Sequence, residues 1–115
     1  MPAIASAYPI LPGKLETWRN FCQEMAGPRK KEHDESRRRL GFTTERAWHQ
    51  ATPMGDFALV YGETSDVAAF FSRMAESQEP FDVWFKKQVL EIHGLDFNQP
   101  PAGPLPELTF DYRTE

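Results

Sequence analysis

Apolar and polar positions along the chain first alternate and then recur at helical spacing. Over Ala3–Ile10, Ile4, Ser6, Tyr8 and Ile10 fall on one side and Ala3, Ala5 and Ala7 on the other, the period-two signature of a strand. Leu11-Pro12-Gly13 ends it. Leu15, Trp18, Cys22 and Met25 then step by three and four residues, which predicts an amphipathic helix. Gly27-Pro28 interrupts that helix, because proline lacks an amide donor and clashes with the preceding turn; the helix resumes to Leu40, with Gly41 as its cap. Phe42–Gln50 and Phe57–Glu63 form two strands joined through Thr52-Pro53-Met54-Gly55, where proline second and glycine fourth suit a type I turn. Thr64 or Ser65 is placed to cap a helix carrying Val67, Phe70, Phe71 and Met74 on one face. Pro80 opens another with Phe81, Trp84, Phe85, Val89 and Ile92, and Gly94 closes it. The prolines between Asn98 and Pro106 predict an extended connector, and Leu108–Tyr112 a last strand.

This order, strand, helix, strand, strand, helix, strand, defines an α+β, ferredoxin-like fold. It predicts one four-stranded antiparallel sheet with its helices on one face, in a single domain over residues 1–115. Regular pleating puts Ala3, Ala5, Ala7, Ala47, Ala58 and Val60 on one face. Ile4, Tyr8, Trp48, Phe57, Leu59 and Tyr61, with Leu108, Phe110 and Tyr112, fall on the other. Large helix residues pack best against the alanine face, which leaves the aromatic face bare and calls for a second copy as its cover. Two sheets paired about a two-fold axis make an α+β barrel.

Composition narrows the function classes. No stretch reaches the roughly 18 apolar residues that span a bilayer, and the N-terminus lacks a basic run before an apolar core, so a cytoplasmic protein with no membrane partner is expected. The lone cysteine, Cys22, sits among apolar residues and suits packing in a reducing compartment. Net charge is −4, yet Arg29–Arg39 holds six basic and three acidic residues, a local +3 that leaves −7 elsewhere. Glu32, Asp34 and Glu35 interleave with the basic residues as helix-face pairs, and no nucleic-acid motif accompanies them, so no nucleic-acid partner is expected.

The resemblance to known proteins rests on the element order and strand faces, and on the segments AWHQATPMGDFALVYGE and PFDVWFKKQVLEIHGLDF. The first two resemble the dimeric α+β barrel superfamily, distantly similar to its antibiotic-biosynthesis monooxygenases. The two segments resemble an uncharacterised bacterial family within it. The resemblance implies a homodimer with a small-molecule ligand and, by analogy with superfamily enzymes, a cofactor-independent oxygenase or isomerase acting on a small aromatic or planar acid. A non-enzymatic structural or regulatory binding module is the alternative.

The residues themselves nominate Arg46 with Trp48, Tyr8, Tyr61 and Tyr112 as the substrate-binding face, a guanidinium among aromatics suiting a planar acid. Tyr8, His49 and His33 are the catalytic candidates, since proton transfer needs a titratable group. His33 belongs to a stripe of Arg29, His33 and Ser36 that continues the first helix's buried face with polar residues. Such a stripe either overhangs the sheet or borders a polar pocket between helix and sheet within reach of His49; a straight helix of 25 residues runs about 37 Å against about 27 Å for a strand of eight, so the overhang is expected. His93, in the last helical turn before Gly94, is read as a capping residue. His33, His49 and His93 lack a metal-ligand spacing, so neither metal nor cofactor is expected. Pro2 would be a general base if Met1 is removed, as in N-terminal-proline tautomerases, a further alternative.

Overall fold

The computed structural model describes residues 2–99 and 103–114. It is an α+β protein with the elements β1 (Ala3–Ile10), α1 (Leu15–Ala26), α2 (Lys30–Leu40), β2 (Phe42–Thr52), β3 (Gly55–Thr64), α3 (Val67–Glu76) and α4 (Pro80–His93). Among the described residues the strands form one antiparallel sheet in the order β1-β3-β2. The break at Gly27-Pro28 falls where the missing proline donor requires it. Gly41 and Gly94 end their helices in the left-handed conformation, with φ of 88° and 72°, which costs glycine nothing. The cap of α3 is Asp66, whose Oδ1 accepts from the Ala69 N–H at 3.0 Å, rather than Thr64 or Ser65. Thr64 is still paired in β3, and its Oγ1 accepts from the Asp66 N–H.

The core lies between the sheet and the helix layer, where Ile10, Phe21, Ala58, Met74, Phe81 and Ile92 are buried. Directly paired residues share a face, so the registers Tyr8↔Ala58, Ser6↔Val60 and Ile4↔Gly62 put the even-numbered side of β1 under the helices. The expected face assignment is therefore reversed for β1. Ile4, Ser6 and Tyr8 point to the helix layer, whereas Ala3, Ala5 and Ala7 lie beside Phe57, Leu59 and Tyr61 on the open face. Alternation within one strand fixes its two sides but not which side meets the neighbours' core face, and here the bulky side is buried.

A bulge between Phe42 and Thr44 shifts the parity of β2 as well. Phe42 turns inward onto Phe70, ring centroids 4.3 Å apart, and Glu45, Ala47 and His49 follow it on the helix side. Gly62 is required by this arrangement, because a Cβ there would overlap the Phe42 ring.

The expected overhang of α2 does not occur. Once Gly27-Pro28 releases it from the line of α1, α2 packs against α3, α4 and β2, and Ser36, Arg37 and Leu40 are all buried. The strand expected at Leu108–Tyr112 is not part of the described sheet: residues 103–114 are exposed, with Leu108, Phe110 and Tyr112 at 75, 82 and 71%. Pro100, Pro101 and Ala102 of the expected connector, and Met1, lie outside the described residues.

Candidate functional site

The sheet's helix-facing centre carries small side chains. Ser6, Val60 and Ala47 form one continuous cross-strand row, and Gly62 stands in the next. Large residues surround this row on the helices, with Trp18, Phe21 and Met25 from α1 and Phe85 and Val89 from α4. The helix layer spans the row without filling it, and a cavity of about 610 Å³ remains between helices and sheet. That volume lies in the range of pockets that take small organic molecules, and its walls are mostly apolar.

Polar groups gather at two ends. The rows Ile4–Gly62–Glu45 and Tyr8–Ala58–His49 are four strand residues apart, about 13 Å. At the first end, Glu45 holds a partly exposed network. Its Oε1 accepts from His33 Nε2 at 2.8 Å and from Arg37 Nε at 2.9 Å, and its Oε2 from Arg37 Nη2 at 3.3 Å. Arg37 is 5% exposed, its guanidinium 4.5 Å from the Phe85 ring centroid. Burial alone would raise the Glu45 pKa. The Arg37 charge and the hydrogen bonds from His33 and Arg37 outweigh it and hold the carboxylate down to about 2. The network continues through Arg37 Nη1 to Ser36 Oγ and from Ser36 to Asp82, a fully buried carboxylate that Ser77 and Arg39 also donate to. Lys30 also lines this cavity and is not ion-paired among the described residues, whereas Arg46 borders it but is paired with Tyr61, so its side chain belongs to the open face, where its charge acts on Glu63.

At the second end, Tyr8 and His93 line the cavity with ring centroids 5.8 Å apart. His93 Nδ1 donates to the Pro9 carbonyl at 2.8 Å. Burial lowers the His93 pKa, against the opposite effect of that bond. Cys22 lies in the wall between the ends, and burial, reinforced by the Glu45 charge, pushes its thiol up to about 11.

The nominated residues are thus divided. Tyr8 and His33 both line the cavity, at its opposite ends, whereas the strand-face argument had placed Tyr8 on the other side of the sheet. Trp48 and Tyr61 lie on the open face, Trp48 53% exposed, and Arg46 pairs with Tyr61 across the strands. Tyr112 is in the exposed C-terminal segment. His49 faces the helix layer but is engaged: its Nε2 meets Asp56 Oδ1 at 2.8 Å and its ring packs on Trp18. Pro2 is exposed and does not line the cavity, and its carbonyl accepts from the Thr64 N–H. The three histidines stay apart, each on its own oxygen acceptor.

Glu45, Arg37 and Lys30 had no part in the residues nominated from sequence. The signal for Glu45 is present, however. Phe42 and Ala47 are apolar five positions apart, an odd step that regular pleating cannot place on one face and a bulge can. Among the described residues no helix is long and apolar enough to cross a membrane. Comparison with known family models, curated proteins and solved structures finds no match to this chain, so its function is argued from the site's geometry.

Proposed function

We propose that this protein is a homodimer of the α+β barrel type whose chains each bind a small, planar, largely apolar acid between helices and sheet. The cavity over the Ser6–Val60–Ala47 row carries the proposal. Its apolar walls suit a flat hydrocarbon body, and the Lys30 ammonium, without an ion-pair partner among the described residues, suits a carboxylate at the Glu45 end. Glu45 itself repels an anion, but Arg37 and His33 already compensate its charge.

The open sheet face supports the dimer. On the β1 side, Leu59 and Tyr61 of the open face meet only the small side chains of Ala7 and Ala5, and with Trp48 and Phe57 they form a surface that a second sheet covers. The edge of β1 supports the fourth strand. The Thr64 N–H bonds the Pro2 carbonyl, so even-numbered residues of β1 bond to β3, and Ala3, Ala5 and Ala7 aim their N–H and C=O groups outward. Pro9 has no N–H and gives its carbonyl to His93, which ends the usable edge at Ala7. The five-residue run Leu108–Tyr112 matches the five-residue edge Ala3–Ala7. Docked there, it sets Leu108, Phe110 and Tyr112 beside the alanines and widens the apolar face.

The test uses 2-naphthoate as probe. It raises the melting temperature of the wild type in a concentration-dependent way. Ala47→Trp, which fills the cavity, abolishes that rise, and Lys30→Ala weakens naphthoate more than naphthalene. Sedimentation gives a two-chain particle that Trp48→Asp converts to folded monomer. Absence of a naphthoate-dependent rise, or a rise that survives Ala47→Trp, overturns the cavity reading; a wild-type monomer overturns the dimer.

A further inference from the structure

The end of the cavity away from Glu45 has chemistry that binding a planar acid does not use. His93 closes α4 where a helix cap alone needs no ring, because the Gly94 N–H already bonds the Leu90 carbonyl and Gly94 supplies the left-handed turn. The ring instead serves the strand edge. A carbonyl oxygen can only accept, so the 2.8 Å contact with Pro9 means that Nδ1 carries the proton. In the neutral ring Nε2 is then a lone-pair acceptor, and it has no partner among the described residues. Burial keeps the ring in that neutral form by lowering its pKa. The Tyr8 hydroxyl likewise has no hydrogen-bond partner among the described residues, and it belongs to the ring packed against His93. The surrounding wall, Val89, Leu95 and Phe97, offers no competing polar group.

We propose that His93 and Tyr8 form a hydroxyl-recognition end of the cavity, with His93 Nε2 accepting a hydrogen bond from a ligand O–H and the Tyr8 hydroxyl making a second bond to the same oxygen. This rests on the cavity binding a planar acid and narrows its ligand to an aromatic hydroxy acid, carboxylate toward Lys30, hydroxyl toward His93. The spacing agrees. About 13 Å between the two polar rows accommodates a fused two-ring system with substituents at its far ends and a hydrogen bond beyond each. A ligand that cannot donate forgoes the bond this acceptor offers, so it gains nothing at this end.

The experiment compares 6-hydroxy-2-naphthoate, 6-methoxy-2-naphthoate and 2-naphthoate by calorimetric titration at neutral pH. The hydroxy acid binds wild type about fivefold or more tighter than 2-naphthoate, and the methoxy acid, which cannot donate, shows no such gain. In His93→Asn the side-chain amide can still donate to the Pro9 carbonyl while no acceptor reaches the cavity. That variant loses the hydroxyl preference, binding the hydroxy and methoxy acids alike, and Tyr8→Phe reduces the preference in part. If 2-naphthoate itself fails to bind wild type, the planar-acid reading falls. If it binds but the hydroxy and methoxy acids are equal, or His93→Asn retains the preference, the hydroxyl-recognition end falls alone. The wild-type comparison of hydroxy with methoxy decides the question without any variant.

Discussion

Replacing Asp82 with alanine tests whether the buried network anchors the helix layer. Asp82 is fully buried and accepts from Ser36 Oγ at 2.5 Å, Ser77 Oγ at 2.5 Å and Arg39 Nη1 at 2.9 Å. Burial opposes its ionisation, yet the Arg39, Ser36 and Ser77 hydrogen bonds together with the Arg39 charge leave its pKa below the usual carboxylate value. Each hydroxyl donating to a charged acceptor contributes about 1.5 kcal/mol, so the two serine bonds account for about 3 kcal/mol. Arg39 adds less than about 1 kcal/mol, because its side chain is 39% exposed and water replaces its partner. Asp82→Ala should therefore cost about 3–4 kcal/mol, a large part of the roughly 5–15 kcal/mol that holds a domain folded. Asp82→Asn keeps one oxygen acceptor and should cost about half as much. The assay is urea unfolding followed by tryptophan fluorescence. With a slope near about 1.5 kcal/mol per molar, the Asp82→Ala midpoint falls by about 2 M at unchanged slope. A loss below about 1 kcal/mol, or an Arg39→Ala variant more damaging than Asp82→Ala, refutes the reasoning.

Two further outcomes follow from the cavity wall. The Glu45 pKa is lowered from 4.5 to about 2 on folding, so its contribution is complete above the unfolded value and is lost as pH falls from about 4.5 toward 2. Urea midpoints measured from pH 7 to pH 2 should drop through that window, and Glu45→Gln should flatten the drop; a profile unchanged by the substitution would count against the network. Cys22, with its thiol pushed up to about 11 from 9.0, should react with iodoacetamide about a hundredfold more slowly than a free cysteine at the same pH, and more slowly still when 2-naphthoate occupies the cavity. Mass spectrometry of the alkylated chain measures both, and a rate equal to free cysteine would place the thiol outside the wall.

Element order from β1 through α4 was legible in the sequence because each boundary carries a local signal: Leu11-Pro12-Gly13, Gly27-Pro28, Gly41, Pro53 and Gly94 all fall at element ends or breaks. The orientation of β1 was not legible. Its alternation is clear, but only the register with β3 says which side meets the core. The same limit hid the site. Tyr8 was grouped with Arg46 and Trp48 by parity, whereas pairing sets it against His93, a contact 85 positions along the chain that no local pattern encodes. Glu45 was hidden by the bulge, which reverses parity within three residues of Phe42. The helix stripe did announce that Arg29, His33 and Ser36 were polar where burial was due. What it lacked was their partners, Glu45 on β2 and Asp82 on α4.

The row Ser6–Val60–Ala47 makes the cavity a property of the strands rather than of the distance between layers. Three side chains on three separate strands therefore act as independent stops. Lengthening any one shortens the space from below at a different point across the sheet, while the helix contacts among Phe21, Phe81 and Phe85 that hold the layer together stay as they are. Ligand size and fold stability are encoded on opposite walls, so the choice of ligand can drift by single substitutions in the sheet without first loosening the roof.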